Sequence, residues 1–187
     1  MDKIVLIQGD DYPRLLFQLY DKENTTIPVD ISNLTVLIKF REKGTTDVLM
    51  MTTGNKDPLL PHLGLVYLDW PATALDQDDG NYELEISTAA SSSTGTITDA
   101  TQDSPVVITS AGHDLTTGDE IYIASVGGMT EINNLPFIVT VIDSDTFSLD
   151  GVDGSDYTVY TSGGTWAKYS GIQTGLDLLS IRIKEDF

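Results

Sequence analysis

The residues of this chain best spaced to hold a cation are Asp150-x-x-Asp153-x-x-Asp156, with Gly151 and Gly154 between them. Glycine turns could bring such carboxylates around Ca²⁺, a hard cation that takes oxygen ligands. The run lacks the alternating Asp/Asn ligands and closing bidentate Glu of a recognised calcium loop, so it reads as an acidic, solvated turn. Two histidines are present, His62 and His113, and neither stands at metal-ligand spacing from another strong ligand. His113, beside Asp114, reads as a residue that stabilises a turn. Serine is plentiful, but no Gly-x-Ser-x-Gly elbow occurs, and Ser91-Ser92-Ser93 reads as linker. Carboxylate pairs of the glycosidase kind are set by geometry rather than motif, but the acidic residues here mostly fall in turns. Cysteine is absent, which removes thiolate nucleophiles, zinc-thiolate sites, iron–sulfur clusters and disulfides. The expectation is a protein with no catalytic, cofactor-binding or metal-ligating residue and no cofactor, and hence not an enzyme.

Aromatic side chains offer contact rather than chemistry. Tyr157, Tyr160 and Trp166 lie in polar Gly/Ser/Thr surroundings and are the candidates for a contact surface. The charge points the same way. Ten Lys and Arg stand against 29 Asp and Glu, a net charge of −19, so neither a nucleic-acid backbone nor an anionic membrane surface is an expected partner. No apolar run is long enough to span a bilayer, and the N-terminus carries no export signal.

The elements that would position these residues are strands. Helical periodicity is nearly missing, with one short turn conceivable over Ala72–Asp76 after Pro71. Period-two alternation recurs and gives strand candidates at Lys3–Ile7, Arg14–Tyr20, Leu34–Phe40, Asp47–Met51, Leu63–Asp69, Asn81–Ser87 and Leu178–Lys184. Seven short strands with turn residues between them are the number expected of an immunoglobulin-like sandwich. The gap before the last is too long for a structureless loop inside a compact domain. It also differs in composition: between Lys56 and Lys168 there is no Lys or Arg, and Ser93–Trp166 holds eleven acidic residues. Strand candidates inside it are Pro105–Thr109, Glu120–Ala124, Phe137–Ile142, Thr146–Leu149 and Tyr157–Tyr160. The reading is an inserted β domain at 93–167 in a discontinuous sandwich of 1–92 and 168–187. Small residues at Ala89–Gly95 and Ser162–Gly164 would form flexible hinges.

Two resemblances attach to these segments. Gly9-Asp10-Asp11-Tyr12-Pro13-Arg14-Leu15-Leu16-Phe17-Gln18-Leu19-Tyr20-Asp21, then Ile27-Pro28-Val29-Asp30-Ile31-Ser32, and later Asp79–Ile86, resembles the N-terminal domain of phage baseplate upper proteins. In the insert, Gly112-His113-Asp114-Leu115-Thr116-Thr117-Gly118-Asp119-Glu120-Ile121-Tyr122-Ile123, Gly128–Asn134, Val139–Gly151 and Tyr160–Thr165 are similar to the small β-barrel named after the first catalytic cysteine half-domain of ubiquitin-activating enzymes. That likeness implies a barrel-like spacer or binding module; the chain has no cysteine with which to carry the name into an activity.

The expected whole is an all-β protein, an immunoglobulin-like β-sandwich with an inserted small β-barrel. Its expected role is a non-catalytic structural protein of a tailed bacteriophage virion, assembled in the host bacterial cytoplasm and acting as a tail or baseplate adaptor. Expected partners are other virion structural proteins and further copies of itself in a symmetric assembly, with no nucleic acid and no membrane. The alternatives are a carbohydrate- or host-surface-binding module, or a head or neck decoration protein.

Overall fold

A computed structural model describes residues 4–7, 15–20, 26–69, 80–171 and 173–184. Fifteen strands occur among them. The first seven are β1 (Ile4–Ile7), β2 (Leu15–Gln18), β3 (Thr35–Glu42), β4 (Val48–Thr53), β5 (Asn55–Lys56), β6 (Leu65–Leu68) and β7 (Gly80–Ala89). Then come β8 (Ser91–Thr96), β9 (Asp99–Ala100), β10 (Val107–Thr109), β11 (Glu120–Gly127), β12 (Leu135–Val141), β13 (Thr146–Leu149), β14 (Ser162–Ser170) and β15 (Gln173–Lys184). The helical content of the described residues is two 3₁₀ turns, Pro61–Leu63 and Thr130–Ile132. The chain divides into two compact units, Met1–Ser91 with Gly171–Phe187, and Ser92–Ser170. The Ala72–Asp76 turn expected from sequence lies outside the described residues.

Unit 1 is a two-sheet sandwich. One sheet has the order β1-β15-β7-β3-β4, and the other β2-β6-β5. Alternation explains the core: Val36, Ile38 and Phe40 of β3, Tyr82, Leu84 and Ile86 of β7, and Val66 and Leu68 of β6 turn one face inward and bury together with Leu19, Ile31 and Met50. The Phe40 and Tyr82 rings stack with centroids 5.1 Å apart. The outward residues fix register. Arg41 on β3 reaches Glu83 at 2.7 Å and Glu85 at 2.9 Å on β7, and a one-residue slip would break both pairs. The Lys56 ammonium donates to three backbone carbonyls, those of Ile31, Ser32 and Leu34, and so ties β5 to the loop before β3. β1 runs parallel to β15, whereas β15 and β7 are antiparallel neighbours. Unit 2 is therefore inserted where a hairpin would join β7 to β15.

Unit 2 is one seven-stranded sheet in the order β8-β14-β11-β12-β13-β10-β9. Where the sequence predicts a small β-barrel, the ladder is open, with β8 and β9 at its two ends. Those two strands are successive pieces of one segment, separated only by Ile97 and Thr98. The Ile97 N–H donates to the Gly164 carbonyl and the Thr98 N–H to the Thr109 carbonyl. One stretch of chain thus lies along both margins of the sheet, which makes the unit barrel-like through a covalent join. Inside lie Ile97, Val106, Ile108, Ile121, Ile123, Val126, Met129, Ile132, Val139, Phe147, Leu149 and Trp166.

Three sequence expectations are corrected here. Ala89–Gly95 and Ser162–Gly164, read as hinges, fall largely within strands, the first across the end of β7 and β8 and the second in β14. Tyr157–Tyr160, read as a strand, is irregular chain. Lys168 belongs with the insert, because β14 pairs with β11 through Ile121↔Lys168.

Candidate interaction surface

The aromatics singled out from sequence lie largely inside. Trp166 is 2% exposed. Its ring meets Phe147 edge-on at a centroid distance of 6.4 Å, and Phe147 in turn meets His113 edge-on at 5.2 Å. The indole N–H donates to the Ser110 hydroxyl, itself buried, at 2.8 Å. Tyr157 and Tyr160 are half-buried against the same core, and the Tyr160 hydroxyl donates to the carbonyls of Ile97 and Gly163. Of the expected contact surface, Trp166 is core and Tyr157 and Tyr160 pack against it half-buried. The Trp166 ring packs over Gly95, which has no side chain to stand in its way. A side chain at Gly95 would stand 2.5 Å from the indole nitrogen.

The polar candidates act as struts. His113 is buried; its Nδ1 accepts the Leu115 N–H at 3.0 Å and its Nε2 lies 3.0 Å from the Asp143 carbonyl. Acceptance at Nδ1 assigns the neutral tautomer with the proton on Nε2, which donates to Asp143. His113 therefore ties the loop before β11 to the turn after β12, in keeping with a turn-stabilising role. His62 sits exposed in the Pro61–Leu63 turn. Asp150, Asp153 and Asp156 do not assemble: the Asp153 carboxylate caps the Ser155 N–H, and among the described residues no three His, Cys, Asp or Glu side chains group as a metal site would need.

Much of the acidity of unit 2 serves its turns. Asp99 caps the Ala100 N–H, Asp119 that of Thr116, Asp143 that of Asp145, Asp145 that of Gly112, and Glu131 that of Thr158. Asp119 also takes the Lys168 ammonium at 2.6 Å. Burial raises the Asp119 carboxyl, but Lys168 and the Thr116 amide outweigh it, and the net displacement is downward. The carboxyls of Glu131, Asp143 and Asp153 are also held below their ordinary values, chiefly by the Thr158 amide, the Asp145 amide and the Ser155 hydroxyl respectively.

Asn133 supplies a further strut that has no signature in the sequence pattern. Its side-chain amide accepts the Val126 N–H at 2.8 Å and donates to the Val126 carbonyl at 2.9 Å, pairing with β11 as a neighbouring strand would. Asn133→Ala leaves both groups of a buried residue without a partner and is expected to lower stability by about 1–3 kcal/mol. Urea denaturation of the full chain checks this, and Asn133→Asp, which keeps the acceptor, should cost less.

The face left outward on unit 2 is a different set of residues. Tyr122 lies between Ala167 on β14 and Pro136 on β12, and Glu120 lies opposite Ile138. Ile138 is 44% exposed, while Tyr122, Pro136, Ala167 and Tyr169 are half-buried. Burial, with a smaller contribution from nearby Tyr169, pushes the Tyr122 phenol up from 10.0 to about 12. Its hydroxyl donates to Asn134 Oδ1 at 2.9 Å, a bond the phenolate cannot make.

These shifts give a two-sided pH profile. The depressed carboxyls contribute stability that is present above their unfolded values, near pH 4, and is lost as pH falls through their lower folded values. The raised phenol contributes stability that is present below pH 10 and is lost as pH climbs from 10 toward about 12. With its partial solvent access, the phenol accounts for about 1 kcal/mol. Thermal melts across this range should show both flanks, and Tyr122→Phe should flatten the alkaline one.

Fold and surface together define an all-β protein of two units, the second carrying a half-exposed aromatic and apolar face. Residues 103–169 match the family model of the ubiquitin-activating enzyme E1 FCCH domain, which covers most of unit 2. Among curated proteins no match is found for the chain.

Proposed function

We propose that this chain is a non-catalytic structural protein of a tailed bacteriophage virion, a tail or baseplate adaptor that works through protein–protein contacts in a symmetric, homo-oligomeric assembly. One observation carries the reading: in unit 2 His113, Asp119 and Glu131 are committed to holding turns, while an aromatic and apolar face remains outward. Such a module works by shape and contact. The strand order of unit 1 supports the same reading. Two packed sheets are compatible with the immunoglobulin-like sandwich that this reading calls for. An inserted unit in place of a hairpin loop suits an adaptor, because loops at the end of a rigid sandwich tolerate insertion and carry recognition. The glycan-binding alternative, which calls on aromatics and carboxylates of the insert, loses Trp166, which is buried, while Tyr157 and Tyr160 stay half-buried.

Mass spectrometry of purified phage particles from the host culture tests the role. The chain is expected at a stoichiometry that is a multiple of the symmetry of the tail. Its absence from particles that are otherwise complete would overturn the proposal.

A further inference from the structure

The small sheet of unit 1, β2-β6-β5, turns one face into the core and an uncharged face outward. Leu15 and Phe17 pack against the core, so Leu16 between them points away from it and is 59% exposed. Leu16 pairs with Tyr67, and Tyr67 with Asn55, in one row across the three strands. Gln18 and Leu65 form the next row. Beside these rows stands the loop Asp57-Pro58-Leu59-Leu60-Pro61. Leu60 is 40% exposed and Leu59 84%, more than any other large apolar side chain among the described residues, Ile142 at 56% and Val159 at 60% included.

This leucine pair is held in place. One Asp57 carboxylate oxygen accepts the Leu59 and Leu60 N–H groups at 2.8 and 2.9 Å, and the other accepts the Tyr67 hydroxyl at 3.0 Å. Prolines on both sides fix φ at 58 and 61 and restrict Asp57 and Leu60 before them. The finger is therefore ordered before any partner arrives, which removes part of the entropy cost of docking it. Next to it lies a cleft of about 460 Å³ lined by Asn55, Lys56, Pro58, Tyr67 and Asp69, with room for a leucine side chain. Its polar groups are already engaged: the Asn55 amide donates to Asp69 at 3.0 Å, and the Lys56 ammonium to three backbone carbonyls. Such a cleft suits a side chain that needs no hydrogen bond and packs on the rings of Tyr67 and Pro58.

A knob and a hole side by side on one face meet the requirement of an isologous contact, in which the knob of each copy enters the hole of the other. We propose that this face joins two copies of the chain about a two-fold axis, with Leu59 of each seated in the other's cleft and Leu16 covered beside it. The net charge of −19 is compatible with the pairing. The facing rows are neutral, the charged groups of the cleft are bonded within their own chain, and charges elsewhere are screened beyond about 8 Å at physiological salt. That the pair is a building unit of a virion rests on the adaptor role proposed above; the pairing itself does not.

Sedimentation velocity of the full chain over a concentration series at physiological salt reads the association, and ¹⁵N spectra of the same series locate it. A monomer–dimer equilibrium is expected, with concentration-dependent shifts at Asn55, Leu59, Leu60 and Tyr67. Leu59→Ser removes the knob and should weaken dimerisation at least tenfold. Asn55→Trp fills the hole and should weaken it as well, although it adds apolar surface. Ile142→Ser and Val159→Ser, on unit 2, should leave it unchanged. All four variants alter exposed positions, and the dispersion of their spectra verifies the fold. A monomer at every concentration, shifts that miss this face, undiminished association of Leu59→Ser, tighter association of Asn55→Trp, or equal weakening by the two unit 2 variants would each overturn the proposal. A dimer in solution with the chain absent from particles would remove the virion role and leave the pairing standing; a strictly monomeric chain found in particles would do the reverse.

Discussion

Replacing Trp166 by alanine should cost unit 2 about 3–5 kcal/mol, the range for deleting a large buried aromatic. Trp166 is 2% exposed, abuts Phe147 and lies opposite Ile123 across the β14–β11 ladder. Its loss empties the space that Gly95 keeps open, orphans the Ser110 hydroxyl that receives the indole N–H, and unseats Phe147, against which His113 packs. With folded domains stable by only about 5–15 kcal/mol, a loss of this size leaves a substantial unfolded fraction. Hydrogen exchange read by mass spectrometry is the suitable measure. Protection should fall across Glu120–Gly127 and Leu135–Val141 of unit 2, with a far smaller change across Thr35–Glu42 of unit 1. Trp166→Phe keeps most of the apolar volume and should lose less. Unchanged protection in β11 after Trp166→Ala would mean that this ring is not a keystone of the core.

Gly64→Ala is expected to do comparable damage to unit 1, about 3 kcal/mol or more, from two causes that act together. Gly64 has φ +65°, a left-handed conformation that costs an L side chain about 1–2 kcal/mol. A Cβ there would also stand 2.6 Å from the Leu19 carbonyl oxygen and 2.9 Å from that of Val29. Both are backbone atoms, so no rotamer change relieves the overlap. They cannot easily withdraw either, because the Gly64 carbonyl accepts the Leu19 N–H and the Leu19 carbonyl accepts the Val29 N–H. Forcing them apart breaks the chain of bonds that carries Leu19, fully buried, into the core. A lower urea midpoint, with weakened protection of Val66 and Leu68, is the expected readout. Gly44→Ala serves as the comparison, because its φ is also positive, +88°, but no atom lies within 4 Å of its would-be Cβ. It should cost only the conformational part.

Much of the strand content was legible in the residues. Apolar alternation over Leu34–Phe40 and Asn81–Ser87 marks strands whose inward faces, Val36, Ile38, Phe40, Tyr82, Leu84 and Ile86, meet in one core. Thr146–Leu149 has the bounds expected of it. These segments were readable because burial on one face imposes a period of two wherever the side chains themselves supply the apolar surface. The same rule misled where glycine and serine do the work. Ala89–Gly95 and Ser162–Gly164 have the composition of linkers yet run into β8 and β14. Their glycines accommodate other residues: Gly95 lies beneath the Trp166 ring, and Gly164, at φ +105°, sits against Val126.

The contact surface was misread for a related reason. Trp166 in a Gly/Ser/Thr stretch reads as exposed when only its neighbours in sequence are considered, but the walls around it, Phe147, Ser110 and Gly95, arrive from three other parts of the chain. Conversely, Tyr122 stands in an alternating strand that could turn either face inward. By itself the sequence determined an all-β chain, the absence of thiol chemistry, a strong negative charge and a long acidic insertion, because these follow from composition and from spacing along the chain. Only the tertiary structure decided which aromatics are core, that the insert's sheet is joined through Ile97 and Thr98, and that Tyr122, Tyr169 and Ile138 share an outward face. Those outcomes depend on pairings between distant strands, and the register of such pairings leaves no local trace in sequence.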